Sequence, residues 1–281
     1  MSWKIVVDTG CDFKEMPNLA PDTTFERVPF TVQVGDRAFL DTLDLDIDEM
    51  MEVMYASSVG AGSACAGPET FLETYRGADK IIVMTLTGTL SGSFNSARVA
   101  KDMLLEEAPE TQIHLIDSLS AGGEMDLLAL EINRLIATGL DFDAIVEAIT
   151  AYQAKTKLVF VLAKVDNLVK NGRLNKLVGK VVGLLNIRMV GEASDQGTLE
   201  LLQKPRGQKK AVKAAIEEML KAGYKGGKVV ITHRNNLEIC QQFEDGLRAQ
   251  FGDVDFTSVP TSGLCSFYAE EGGILMGYEI N

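Results

Sequence analysis

The sequence predicts an α/β protein: a parallel-sheet α/β domain over residues 1–157 and an α+β domain over 158–281. Three observations carry this. Strand-like runs at 3–7, 81–84 and 113–116 alternate with helical stretches around 93–107 and 122–137, the order that builds a parallel sheet. The run Ile81-Ile82-Val83-Met84 has no polar alternation, which suits a strand covered on both faces. Near residue 158 the texture changes, and strands and helices no longer follow strict βαβ order.

In chain order, the first strand ends in Asp8-Thr9-Gly10-Cys11. Residues 41–52 pack six acids into a loop and helix start, with Asp46 or Asp48 as N-cap of a helix through Tyr55. Gly60, Gly62 and Gly67 then break order before Pro68. The strand at 81–84 runs into Thr85, Thr87, Thr89, Ser91, Gly92 and Ser93, and helical spacing begins at Phe94. A hydroxyl residue at a helix start sits beside orphan N–H groups and the positive end of the dipole, a setting for a carboxylate or phosphate. The strand at 113–116 ends in Asp117-Ser118-Leu119-Ser120. Three such loops on one carboxyl edge predict a site there, since open α/β sheets bind ligands at that edge.

The second half begins with a strand at 158–163 and a short helix over 165–177, interrupted at Asn171-Gly172. A hairpin follows, 187–190 with 198–202, around Asp195-Gln196-Gly197. The remainder reads as helix 207–222, strand 228–232, helix 236–251, strand 254–259 and a final strand 273–279.

Net charge is −13 and unevenly placed: residues 1–150 hold 9 Lys/Arg against 26 Asp/Glu, residues 151–281 hold 18 against 14. The acidic half argues against nucleic acid as a partner. The basic run Lys204, Arg206, Lys209, Lys210, Lys213 reads as a solvated helix start. No 18-residue apolar run is present, so no stable membrane insertion is expected. The opening MSWKIVVDTG enters a strand without a signal-peptide pattern, which makes the cytoplasm the expected compartment. The four cysteines, Cys11, Cys65, Cys240 and Cys265, form no C-x-x-C, and with two histidines far from them no metal site is expected.

Five elements in order resemble the DegV family, bacterial fatty-acid-binding proteins that act as the lipid-carrying subunit of fatty acid kinase. The opening Ile5-Val6-Val7-Asp8-Thr9 is similar to the family's strand and Asp-Ser/Thr loop. Leu90-Ser91-Gly92-Ser93-Phe94-Asn95-Ser96-Ala97 resembles L-S-G-T-x-x-S-A, and Leu115-Ile116-Asp117-Ser118 through Ala121-Gly122 resembles V-I-D-S-x-x-x-S-x-G. Leu168 to Leu174 resembles a leucine-rich segment ending in G-R-[IL], and Lys204 to Lys210 resembles K-x-R-[GT]-x-K-K. Two motifs depart. T-S-Q-P-S-P-x-x-F appears as Ser63-Ala64-Cys65-Ala66-Gly67-Pro68-Glu69-Thr70-Phe71, and H-x-G-P-G as Tyr268-Ala269-Glu270-Glu271-Gly272.

The resemblance implies a two-domain DegV-like fold with the ligand between the domains. It further implies a long-chain fatty acid in a buried tunnel, presented to a separate ATP-using fatty acid kinase. No cofactor is implied beyond the bound acid, and no catalytic role for this chain. By resemblance Ser91 donates to the lipid carboxylate, Ser63 takes the second hydroxyl position, Tyr268 stands where the family has His, and Arg173 lies beside the headgroup or at the docking face. Ser93 is a further candidate, and Asp8 with Thr9 is expected to shape the pocket floor. Glu270 and Glu271 are expected to point outward, away from an anionic headgroup. The alternative is a hydrolase or acyl transferase with Ser91 or Cys65 as nucleophile and His233 as base. No G-x-S-x-G elbow supports that alternative.

Overall fold

The computed structural model describes residues 2–175 and 186–280. In chain order the first half holds β1 (Trp3–Asp8), β2 (Thr23–Val28), β3 (Thr31–Val34), β4 (Arg37–Leu40), α1 (Ile47–Ala56), β5 (Ala61–Ala64), α2 (Pro68–Tyr75), β6 (Lys80–Thr85), α3 (Ser93–Glu107), β7 (Gln112–Asp117), α4 (Gly123–Ala137) and α5 (Phe142–Gln153). The second half holds β8 (Thr156–Leu162), α6 (Asp166–Lys170), β9 (Met189–Ala193), β10 (Leu199–Gln203), α7 (Gln208–Ala222), β11 (Val229–His233), α8 (Leu237–Phe251), β12 (Phe256–Pro260), α9 (Gly263–Ala269) and β13 (Ile274–Glu279). Residues 176 and 177 of the helix expected over 165–177 lie outside the described residues.

The apolar runs at β1 and β6 become the centre of a four-stranded sheet ordered β2-β1-β6-β7, every pair parallel. Ile5, Val6, Val7, Ile81, Ile82, Val83 and Met84 are fully buried because helices cover both faces. The second half forms a six-stranded mixed sheet, β10-β9-β8-β13-β11-β12. Its strands alternate cleanly. Val159, Val161, Ile274 and Met276 face α7 and α8, whereas Leu158, Phe160 and Leu162 turn to the other side with α6 and α9.

A third sheet, antiparallel β4-β3-β5, has no counterpart among the elements that the sequence predicts. Its strands are four residues long, too short to register as alternation, and β5 reads Ala-Gly-Ser-Ala. Ser63 therefore lies on a paired strand, not in a glycine-rich loop. This sheet and α1 pack on Phe267 of α9, so part of the first half covers part of the second. Asp46 caps α1, accepting from the Glu49 N–H at 2.9 Å.

Helix α4 joins the two large sheets. Met125, Leu128 and Ile132 pack into the first, while its N-terminus lies against β11 and β13. A Cβ on Gly123 would stand 2.2 Å from the Val230 carbonyl oxygen, and one on Gly277 would stand 2.3 Å from the Glu124 Cα. Only glycines permit that approach. The expected break at 157/158 falls inside β8.

Candidate functional site

The carboxyl ends of β1, β6 and β7 point toward the Leu158–Phe160–Leu162 face of the second sheet, and a cavity of about 290 Å³ lies between them. Most of its lining is apolar: Phe30, Leu86, Leu90, Phe160, Leu162, Leu168, Leu199, Leu264 and Leu275 among others. Leu275 faces Phe160 across the β13–β8 ladder, so both side chains project from the same face. Polar groups are few and gathered. Ser63, Cys65, Ser91, Arg173 and Tyr268 all line this cavity.

Each polar group is set by a different element. Ser63 on β5 shares a hydrogen bond of 2.8 Å with the Tyr268 hydroxyl on α9. The Ser91 hydroxyl accepts from the Ser93 N–H at 3.1 Å, which turns the loop tightly before α3. Arg173 donates through Nη1 to the Asn171 carbonyl at 2.6 Å and through Nε to the Leu90 carbonyl at 3.4 Å. Its guanidinium stands 5.9 Å from the Tyr268 ring centroid, within cation–π range. Ser91, Arg173 and whichever of Ser63 and Tyr268 is not donating to the other can direct their protons at one anion.

Ser93, Asp8 and Thr9 do not line the cavity. Ser93 is the first residue of α3 rather than its cap, Gly92 holding that place, and its hydroxyl donates inward to Asp8 Oδ2 at 2.6 Å. Asp8 also accepts from the Gly10 and Leu86 N–H groups. Burial pushes its carboxyl up to about 6, against the pull of the Ser93 bond and the two N–H donors. Thr9 accepts from the Phe30 N–H at 3.1 Å. The three stand behind the wall and shape it through Gly10, Ser91 and Phe30. Asp117 acts as a strand-end aspartate should, accepting from the Gly88 and Leu119 N–H groups.

Glu270 corrects the expectation that it points outward. It is 2 % exposed, and its Oε1 accepts from the Asn167 N–H at 3.1 Å, at the start of α6. Burial pushes its carboxyl upward. Glu271 does face solvent, 3.6 Å from the Arg234 guanidinium. His233 accepts the Asn236 N–H on Nδ1 and, like His114, does not line the cavity, so Cys65 and Ser91 have no imidazole beside them.

Other groups had no sequence signal of their own. The N-terminus of α9 is held by remote carboxylates: Asp12 Oδ1 accepts from the Ser262 N–H at 2.7 Å, and Asp41 accepts from the Gly263 and Leu264 N–H groups at 2.9 and 2.8 Å. Asp126 accepts from the Asp12 and Phe13 N–H groups and the Cys11 thiol. These partners lie far apart in sequence, and only the acidic run beginning at Asp41 gave a hint.

A family model described as "Uncharacterised protein, DegV family" matches residues 2–279. The chain belongs to the DegV family. Among DegV relatives, a DegV domain-containing protein of Streptococcus gordonii is 64% identical over 280 residues, covering 100% of both chains. A solved structure of the Streptococcus pneumoniae Fatty Acid Kinase (Fak) B3 protein, loaded with linoleic acid, is 61% identical with a TM-score of 0.99 and full coverage of both chains. A DegV family protein from Eubacterium eligens, loaded with heptadecanoic acid, is 35% identical with a TM-score of 0.96, again over 100% of both chains.

Proposed function

We propose that this DegV chain binds a long-chain fatty acid in the cavity between its two large sheets, and that the carboxylate lies at Ser63, Ser91, Tyr268 and Arg173. One observation carries the reading: a single cavity is apolar over most of its wall, with its hydrogen-bond donors gathered from β5, the β6–α3 loop, α9 and the loop after α6. The lipid-loaded relatives at 61% and 35% identity support it. Burying about 14 methylenes at ~0.8 kcal/mol each is worth roughly 11 kcal/mol before ordering and association costs. The chain then supplies affinity, and the polar end fixes orientation.

The role that follows is a carrier in a fatty acid kinase system. A separate ATP-using kinase would phosphorylate the presented carboxylate, and this chain need perform no bond-making step. Neither hydroxyl at the polar end is poised as a nucleophile, Ser91 being turned to the Ser93 N–H and Ser63 to a phenol. No helix among the described residues is long and apolar enough to cross a membrane, and we place the protein in the cytoplasm.

Native mass spectrometry of the purified protein tests the reading. A co-purifying mass equal to a long-chain acid is expected, returning after the protein is stripped and incubated with free acid. Failure to take up acid after stripping would refute it.

A further inference from the structure

Three segments meet at the polar end of the cavity, β5, α6 and α9, and hydrogen bonds close them into a ring. The Ser63 hydroxyl of β5 meets the Tyr268 hydroxyl of α9 at 2.8 Å. From α9 the Phe267 carbonyl accepts from Asn167 Nδ2 at 2.8 Å, and just after that helix Glu270 Oε1 accepts from the Asn167 N–H at 3.1 Å. Asn171 Nδ2 then donates to the Asn167 carbonyl at 2.9 Å and to the Ala61 carbonyl at 3.1 Å, which returns the ring to β5. Arg173 hangs from the same ring, its Nη1 on the Asn171 carbonyl.

Glu270 occupies this place at a backbone cost. Its φ is +53°, in the left-handed region that glycine adopts freely and a side-chain-bearing residue does not. Asn167 is 4 % exposed and Glu270 2 %, so neither has water as an alternative partner. A strained backbone that persists in a buried site is held there by its surroundings, and here the carboxylate is what gains from it.

We infer that Asn167, Asn171 and Glu270 are positioning residues for the headgroup. They lock α6 against α9 and β5, so that Arg173 and Tyr268 offer their donors to the same carboxylate. The inference rests on the fatty-acid reading above and extends it to residues that do not line the cavity.

Two ligands with one chain and different heads, oleic acid and oleyl alcohol, separate positioning from mere stability. Both are titrated against the full-length stripped protein by displacement of a fluorescent lipid, and the acid-to-alcohol affinity ratio is compared between variants. Glu270→Gly removes the carboxylate and relieves the left-handed strain, so folding should hold while the ratio falls about five-fold, the scale of a misplaced hydrogen bond. Alcohol affinity should stay within about two-fold, because the apolar wall is untouched. Glu270→Gln, whose amide oxygen still accepts from the Asn167 N–H, should restore the ratio. Asn171→Ala should lower it like Glu270→Gly, and should lower it no further in an Arg173→Gln background. A parent protein that binds neither ligand overturns the fatty-acid reading and this inference together. A parent that prefers the acid, with Glu270→Gly and Asn171→Ala variants of the same ratio, overturns this inference alone.

Discussion

The two ends of α9 use opposite polar chemistry. At its N-terminus the carboxylates of Asp12 and Asp41 accept the first N–H groups, with Asp126 close behind, all at most 2 % exposed. Toward its C-terminus, Tyr268 meets the cavity in the company of Ser63, Ser91 and Arg173. Acids serve where backbone donors must be satisfied in the dry interior. Hydroxyls, a phenol and a guanidinium line the cavity where the proposed carboxylate would lie. The nearby Glu270 carboxylate is turned onto the Asn167 N–H and does not line that wall, where it would repel an anion. The first cluster secures the helix and the second uses it.

Breaking the first cluster should have the largest effect. Asp41→Ala strands two backbone N–H groups of α9 and removes the carboxylate 4.0 Å from the Arg27 guanidinium, which is 7 % exposed and has no other ion-pair partner among the described residues. A loss of about 3 kcal/mol or more is expected in denaturant unfolding, the scale for removing one partner from a buried charged site. A loss below about 1 kcal/mol would mean that packing alone holds α9.

The same cluster makes stability depend on pH in an unusual direction. Burial pushes Asp12 up to about 6 and, with the nearby Asp12 charge, pushes Asp126 up to about 8, both from an ordinary 3.8. A folded-state pKa above the unfolded one means that the native state binds the proton first. The stability it contributes is present in full below about pH 4 and is lost as pH rises through the folded values. Unfolding free energy should therefore fall between about pH 5 and pH 8, as far as this cluster governs it. Asp126→Asn keeps an oxygen for the three donors and removes the charge. It should flatten that slope and stabilise the protein by about 1–2 kcal/mol at about pH 8. Equal slopes in parent and variant would remove Asp126 as the source.

At the second cluster the effects should appear in binding instead. Ser91→Ala and Tyr268→Phe should each weaken fatty acid binding about ten-fold, the worth of one hydrogen bond to a charged group, with little change in unfolding. Tyr268→His should largely keep affinity, because imidazole also offers a donor, and should tighten binding as pH falls through its own titration. If Tyr268→Phe is silent, the phenol packs on Phe267, 4.8 Å between centroids, and holds no headgroup.

The contrast also explains what could be read from the chain. The parallel sheet was legible because β1 and β6 carry the short apolar runs Ile5–Val7 and Ile81–Met84. Of the residues that line the cavity, Ser91 and Arg173 stood in ordered motifs, and Ser63 and Tyr268 in the two motifs that depart from the family pattern. The third sheet was not, since Ala61–Ala64 carries no strand-forming side chain. Nor were the carboxylate contacts: Asp12 to Ser262 spans 250 residues and Asp41 to Gly263 spans 222, and local patterning holds no record of such pairs. Glu270 misled because a glutamate after a helix is ordinarily solvated, and only the approach of α6 gives it a buried donor.

The smallest effect separates a holder from an enzyme. Cys65 lines the cavity near Gly92, and a Cβ built on that glycine would stand 3.5 Å from its sulfur. A thiol is a weak donor, so Cys65→Ala loses little beyond the contact area of one sulfur atom. That is comparable to a methylene at ~0.8 kcal/mol, and affinity should change by no more than about three- to four-fold. The informative partner measurement is intact mass after incubation with an activated acyl ester. No imidazole stands beside Cys65 to take its proton, so the parent should gain no acyl group that the Cys65→Ala protein does not. An acyl adduct on the parent that vanishes in Cys65→Ala would show that the carboxyl end of the lipid meets a nucleophile. The polar end would then be a reaction centre, and the hydroxyls around it donors to a developing oxyanion.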